Sequence, residues 1–254
     1  MLVLLTVSLC LCAGYGQAFN ILCLYDGTYD AAHINFVHEA IKFIPAAAQE
    51  HGYTVKCTND WGQLNTNNLK NYQVVLFLDT VPWDDTPRKA LQEYVENGGG
   101  LMAFHASAYV DNPNEWPWFH QTLLGTGMFK SNTWWPTKVH YKVDAPNHPA
   151  MKGLPAKFES AVSEWYDWQH DLRQNPDIEV LASIDPSSFP VGTDPNQSWY
   201  DGYRPLIWSN KKHKVIYCNF GHNYMVEKSN TSYTFASNDQ NTFLFQALQY
   251  LAGQ

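Results

Sequence analysis

Charge is scarce in this chain: 16% of its 254 residues are charged while 45% are hydrophobic. That balance excludes a disordered, self-repelling polymer and provides apolar material for a core. Positive charge is scarcer still, with 16 Lys and Arg against 24 Asp and Glu and a net charge of -8. That balance argues against a phosphate-backbone binder, and no nucleic-acid partner is expected. Beyond the N-terminus no apolar run reaches about 18 residues, so no membrane span is expected in the mature chain. Repeats and low-complexity linkers are also missing, and residues 19–254 read as a single domain with a long insertion at about 110–163.

Cysteine is sparse, five in all. Cys10 and Cys12 fall inside the segment Met1 to Ala18, whose apolar run Leu2 to Leu11 is followed by the small-residue pattern Gly16-Gln17-Ala18 and which reads as a leader cleaved after Ala18. No Lys or Arg precedes the run, a departure from the usual leader, and an N-terminal strand or anchor helix is the alternative. Leu9-Cys10-Leu11-Cys12 lacks the small residue expected before a lipidated cysteine, so a secreted or periplasmic product is expected. Cys23, Cys57 and Cys218 remain, and three thiols cannot all pair. Their strand-like settings favour packing roles, with one bridge plus one free thiol left open. Asn196-Gln197-Ser198 and Asn230-Thr231-Ser232 fit the glycosylation acceptor pattern.

Strands and helices alternate over the first hundred residues. Ile21 to Tyr25, Tyr53 to Cys57, Gln73 to Leu78 and Leu101 to Phe104 read as strands. Ile34, Val37, Ile41 and Ile44 recur at helical spacing, with Pro45 expected to kink or restart the helix. A second helix is expected with Thr86 as cap and Pro87 as first residue, carrying Leu91, Tyr94 and Val95. This alternation implies right-handed crossovers and a doubly wound, mostly parallel α/β sheet with helices on both faces. Later runs, Lys138 to Val143, Ile178 to Ile184, Pro205 to Trp208 and Val215 to Phe220, predict added antiparallel strands. Asp239 is expected to cap a final helix bearing Phe243, Leu244, Ala247, Leu248 and Leu251.

The usual nucleophile signals are absent. Phe104-His105-Ala106-Ser107-Ala108 occupies a strand-to-helix position, yet it has neither the glycines of G-x-S-x-G nor a cysteine, and Ser107 reads as a helix-start residue. Gly98-Gly99-Gly100 precedes its strand, whereas a dinucleotide fingerprint follows one, so no nucleotide cofactor is expected. What is present is histidine just after strands, where open α/β sheets bind ligands: His33 after the first, His105 after the fourth, and His222 in Gly221-His222-Asn223 after the last. One such histidine is ordinarily structural; their common placement favours a site. Glu164 lies among aromatics in Glu164-Trp165-Tyr166-Asp167-Trp168, as an acid with a raised pKa or as part of a core edge. Trp116, Trp118, Trp134 and Trp135 stack on a sugar or pack the insertion. His33, His105 and His222, with Glu164 as a carboxylate, are candidate ligands for a divalent metal, although no short H-x-x-x-H or C-x-x-C spacing fixes them.

Glu96-Asn97-Gly98-Gly99-Gly100-Leu101 through His105-Ala106, His148-Pro149 with Gly153-Leu154-Pro155, Glu164-Trp165-Tyr166, and Val215-Ile216-Tyr217 through Gly221-His222 together resemble the ThuA-like (trehalose utilisation) family. The resemblance spans nearly the whole mature chain. It implies a flavodoxin-like fold related to class I glutamine amidotransferases, with His105 aligned where those enzymes hold a cysteine and His222 near their triad histidine. Glutaminase chemistry is therefore not expected. Lys130-Ser131-Asn132 and Asn223 depart from the family pattern. A carbohydrate-metabolism role on disaccharides or their keto forms is implied, with His105 and His222 transferring protons and Glu164 orienting them or acting as a second acid-base group. Asp26, His33, Tyr166, Trp134 and Asn223 are expected to bind the small carbohydrate ligand. A noncatalytic carbohydrate-binding protein using the same pocket is the alternative.

Overall fold

The computed structural model describes residues 17–28, 30–133, 136–189, 202–224 and 233–254. Residues 1–16 of the expected leader, Trp134, Trp135 and the acceptor motifs at Asn196 and Asn230 lie outside the described residues. In chain order the elements are β1 (Asn20–Leu24), α1 (Ala31–Glu50), β2 (Thr54–Thr58), α2 (Thr66–Leu69), β3 (Val74–Phe77), α3 (Asp85–Glu96) and β4 (Gly100–Phe104). There follow β5 (Phe129–Asn132), β6 (His140–Val143), β7 (Lys157–Glu159), β8 (Tyr166–Trp168), β9 (Ile178–Ile184), β10 (Pro205–Asn210), β11 (Val215–Cys218) and α4 (Asn238–Ala252).

Nine strands form one mixed sheet in the order β2-β1-β3-β4-β11-β10-β9-β6-β7. The first five run parallel, and β10, β9, β6 and β7 extend the sheet antiparallel. Parallel strands need both faces covered, which is why β3 and β4 are apolar at every position and fully buried. One face packs Ile21, Met102, Phe104 and Ile216 under α1 and α4; the other packs Leu22, Val75, Phe77 and Leu101 under α3. A separate ribbon pairs β5 antiparallel with β8, setting Asn132 opposite Tyr166. Among the described residues no helix is long and apolar enough to cross a membrane.

Cys23 and Cys57 are register partners on β1 and β2, and with Cys218 they are free thiols. The hydrogen bond with Cys57, and then burial, push the Cys23 thiol well above its usual range, as expected of a packing residue.

Several local expectations are corrected. Helix α1 does not restart at Pro45 but continues through it to Glu50. The hydrogen bond that the proline cannot donate is outweighed by burying Phe36, Val37, Ala40, Ile44 and Ala48 along one stripe. Asp84, not Thr86, precedes the first turn of α3, which puts Pro87 third in that turn, where its missing N–H still has no intrahelical partner to lose. Ser237, not Asp239, caps α4 by accepting the Gln240 N–H, and Asp239 lies in the positive first turn. Ser107 starts no α-helix: it is buried in a 3-10 turn spanning His105–Ala108, after which Tyr109 is extended.

Candidate active site

The site is built where β1, β4 and β11 end. Behind β3, the buried Asp79 carboxylate accepts the Asp26 N–H at 2.9 Å and the Gly27 N–H at 2.7 Å, fastening the loop that leaves β1. That loop delivers Asp30 to the N-cap of α1. Its Oδ1 accepts from the Ala32 and His33 backbone amides at 2.9 and 3.1 Å, so its Oδ2 is directed to His33 Nδ1 at 3.0 Å. The hydrogen bond from His33 holds Asp30 well below the usual carboxylate range. On its other side, His33 Nε2 faces the Tyr166 hydroxyl at 3.5 Å.

At the end of β4, His105 has φ +37°, the one non-glycine residue with positive φ among those described. Such a conformation costs about 1–2 kcal/mol in an L residue and persists only where its surroundings enforce it. Three contacts do so. His105 Nδ1 lies 3.1 Å from the Asn219 carbonyl, the Tyr217 hydroxyl donates to the His105 carbonyl at 3.1 Å, and the Tyr166 ring covers the imidazole at 3.9 Å between centroids. Gly221, at φ +147°, leaves the necessary room, since a Cβ there would sit 2.7 Å from His105 Cβ.

Because a carbonyl only accepts, the proton of neutral His105 is on Nδ1, and the lone pair on Nε2 points into the site. That Nε2 is buried without a hydrogen-bond partner, and Glu164 Oε2 lies 3.9 Å away. The same oxygen is 3.8 Å from His222 Nε2. Ring centroids of His33, His105 and His222 form a triangle with sides of 4.9, 5.2 and 5.5 Å. Burial first, then the Asp30 charge, pushes Glu164 up to about 8. Burial, with His33 and His222 adding to it, moves His105 well below the ordinary imidazole value, and burial lowers His222 to about 3. Near neutral pH His105 and His222 are therefore neutral beside a protonated Glu164 carboxyl.

Asn219 joins this centre to β8. Its Oδ1 accepts the Tyr166 N–H at 3.1 Å and its Nδ2 donates to the Tyr166 carbonyl at 2.9 Å. Five of the residues singled out in the sequence, His33, His105, Glu164, Tyr166 and His222, thus meet in one place. Asp26 does something else: its carboxylate accepts from the Thr28 hydroxyl at 2.7 Å. Asn223 is occupied in the fold, donating to Glu39 Oε2 at 2.9 Å and accepting from the Tyr224 N–H. Trp116 packs inside, stacked on Phe119 at 4.8 Å, and Trp165 is fully buried. Sequence reasoning missed Asp30, Asp79 and Asn219. Asp30 had a legible signal, a capping residue three positions before a histidine at a helix start.

The comparisons with known proteins agree with this architecture. A ThuA-like protein from Bacteroides uniformis has 36% identity and a TM-score of 0.83, with 94% of each chain covered. A second, from Parabacteroides merdae, shares 17% identity at a TM-score of 0.64, with 93% of this chain and 90% of that one covered, and likeness at that level concerns the fold. The same is true of a cytoplasmic protein from Salmonella typhimurium, at 12% identity and a TM-score of 0.53 over 91% and 98% of the two chains. No curated protein matches the chain. The sequence model of the ThuA family, described by trehalose utilisation, matches residues 22–251, and the chain belongs to that family.

Proposed function

We propose that the protein is an exported enzyme that moves protons on a sugar or keto-sugar, with His105 as base and Glu164 as acid. The family's description suggests a carbohydrate-related role, and the export rests on the apolar leader that ends at Ala18. The observation that carries the chemistry is the fixed tautomer of His105. Its Nδ1–H is committed to the Asn219 carbonyl, so Nε2 faces Glu164 as an acceptor. A proton donor and a proton acceptor 3.9 Å apart leave space for a substrate carbon and oxygen between them only after a small separation of the two side chains.

In the proposed step, His105 Nε2 takes the proton from a carbon next to a carbonyl. The C–H electron pair forms the C=C bond of an enol, and Glu164 gives its proton to the carbonyl oxygen. Return of the proton from His105 to the former carbonyl carbon, while the neighbouring hydroxyl of the enediol gives up its proton to become the new carbonyl, isomerises the sugar. Alternatively the enol O–H proton returns to Glu164 as the carbonyl re-forms, the double bond shifts, and the β-oxygen substituent leaves with its C–O electron pair and takes the proton held by His105. Glutaminase chemistry is excluded from the reading, since no thiol stands at residue 105.

The test incubates the mature protein in deuterated water with disaccharides and their 3-keto derivatives and follows masses. A keto-sugar that gains solvent deuterium or is converted to product is the expected result. Saturable binding with neither exchange nor turnover overturns the reading in favour of a carbohydrate-binding protein.

A further inference from the structure

We propose that Asp30, His33 and His222 form a binding site for one divalent transition-metal cation. One ligand atom from each lies within 4.8 Å of the others. Ligands sharing an ion at bonds of about 2.1 Å are separated by roughly 3.0 Å when adjacent and 4.2 Å when opposite. The separation of 3.0 Å between His33 Nδ1 and Asp30 Oδ2 already has the adjacent value, and His222 offers a nitrogen within 4.8 Å of the other two ligand atoms that moves inward to share the ion. Two imidazoles and one carboxylate, leaving further positions open, suit zinc, iron, manganese or cobalt rather than calcium or magnesium, which prefer oxygen throughout.

The supporting groups are those a metal site requires. Asp30 keeps Oδ1 on two backbone amides and offers only Oδ2, so it would ligate through one oxygen. With Nδ1 on the cation, His33 would carry its proton on Nε2 and donate it to the Tyr166 hydroxyl 3.5 Å away, the outer hydrogen bond that orients a ligating histidine. His222 comes from a different segment, the loop that follows β11. It is 95% buried by its 5% exposure, and its Nδ1 has no hydrogen-bond partner.

An ordinary hydrogen bond between His33 and Asp30 is the rival account, in which the proton holds the place assigned to the cation. If the acid–base reading also holds, the open positions would face the sugar's vicinal oxygens; the metal site does not depend on it.

The full mature chain, purified without affinity metals and stripped with chelator, is titrated with Co2+ and then Zn2+. One equivalent of Co2+ should produce visible d–d absorption, and Zn2+ should displace it and raise the thermal midpoint. His222→Ala and Asp30→Asn should abolish the band. Asp30→Asn keeps a capping side chain, so it remains informative if His222→Ala does not fold. Tyr166→Phe should weaken binding about 10- to 100-fold by removing the outer hydrogen bond. A folded wild-type chain with no Co2+ band, or a band undiminished in Asp30→Asn, overturns the site. Deuterium exchange into substrate is read separately, so failure of metal binding and failure of proton transfer give different results.

Discussion

The two ends of the parallel strands use glycine in opposite ways. At the amino end, Gly100 starts β4 beneath the last turn of α4, where an added Cβ would meet the Leu251 carbonyl at 2.5 Å. At the carboxyl end, Gly221 yields space to a side chain, His105, which is itself held at a positive φ. The first glycine lets a helix close on the core. The second lets a polar ring occupy a position that packing alone would fill with carbon. Buried polar groups tell the same story. Asp79, His33, His105, Glu164 and His222 are buried at the carboxyl end, whereas at the amino end Leu69, Tyr94 and Leu251 line a cleft at which the charged Lys70 and Glu93 are exposed. Desolvating five titratable groups opposes folding, so one end of the sheet is built for chemistry and the other for cohesion.

The largest effect that would break this contrast is at His105. His105→Ala should lower turnover by about 100-fold or more, the usual contribution of a positioned acid or base, while the thermal midpoint changes little. A large loss of midpoint with turnover per folded molecule intact would make His105 a packing residue. Next come the glycines. Gly221→Ala and Gly100→Ala should each cost roughly 1–3 kcal/mol in denaturant unfolding, from strain and overpacking. Only Gly221→Ala should also change kcat of the folded fraction, because its Cβ meets His105.

The smallest expected effect lies outside both ends. Asp185, just beyond β9, is pulled down to about 2 by the hydrogen bond from Lys157, at 2.7 Å, with Ser187 adding to it. A carboxylate with a lowered pKa stabilises the fold above its unfolded value of 3.8, and that stability is lost as pH falls toward 2. Because Lys157 is 59% exposed, the contribution is about 1 kcal/mol after screening. Asp185→Asn should flatten the acid limb of a stability–pH curve by that amount and leave turnover unchanged.

Much of this arrangement was legible in the residues. Apolar runs marked β1, β3 and β4, and the rule that ligands gather beyond strand ends selected His33, His105 and His222 before their geometry was known. Other parts were hidden for physical reasons. Asn219 lies in Cys218-Asn219-Phe220, where a lone amide among buried neighbours has no meaning until β8 is laid beside it to accept and return its hydrogen bonds. The start of α3 offers Asp84, Asp85 and Thr86 in succession, and competing caps cannot be ranked without the loop that enters them. Strand β7 is three residues long, too short for alternation to be distinguished from a turn. Asp30 stands three residues before His33 at a helix start, a spacing that marks a capping oxygen but does not tell where the second oxygen is directed.

The placement of β11 bears on the order of assembly. His105 and Asn219 are 114 residues apart, and their strands become neighbours only after the intervening chain, with its ribbon and its antiparallel strands, has been looped out. Closing so long a loop is entropically costly and slow compared with forming the local β–α pairs of the first hundred residues. The imidazole triangle therefore cannot precede the global fold. His33 and His222 stand on opposite sides of that loop, so a ligand held by both binds only the assembled chain and stabilises it against unfolding.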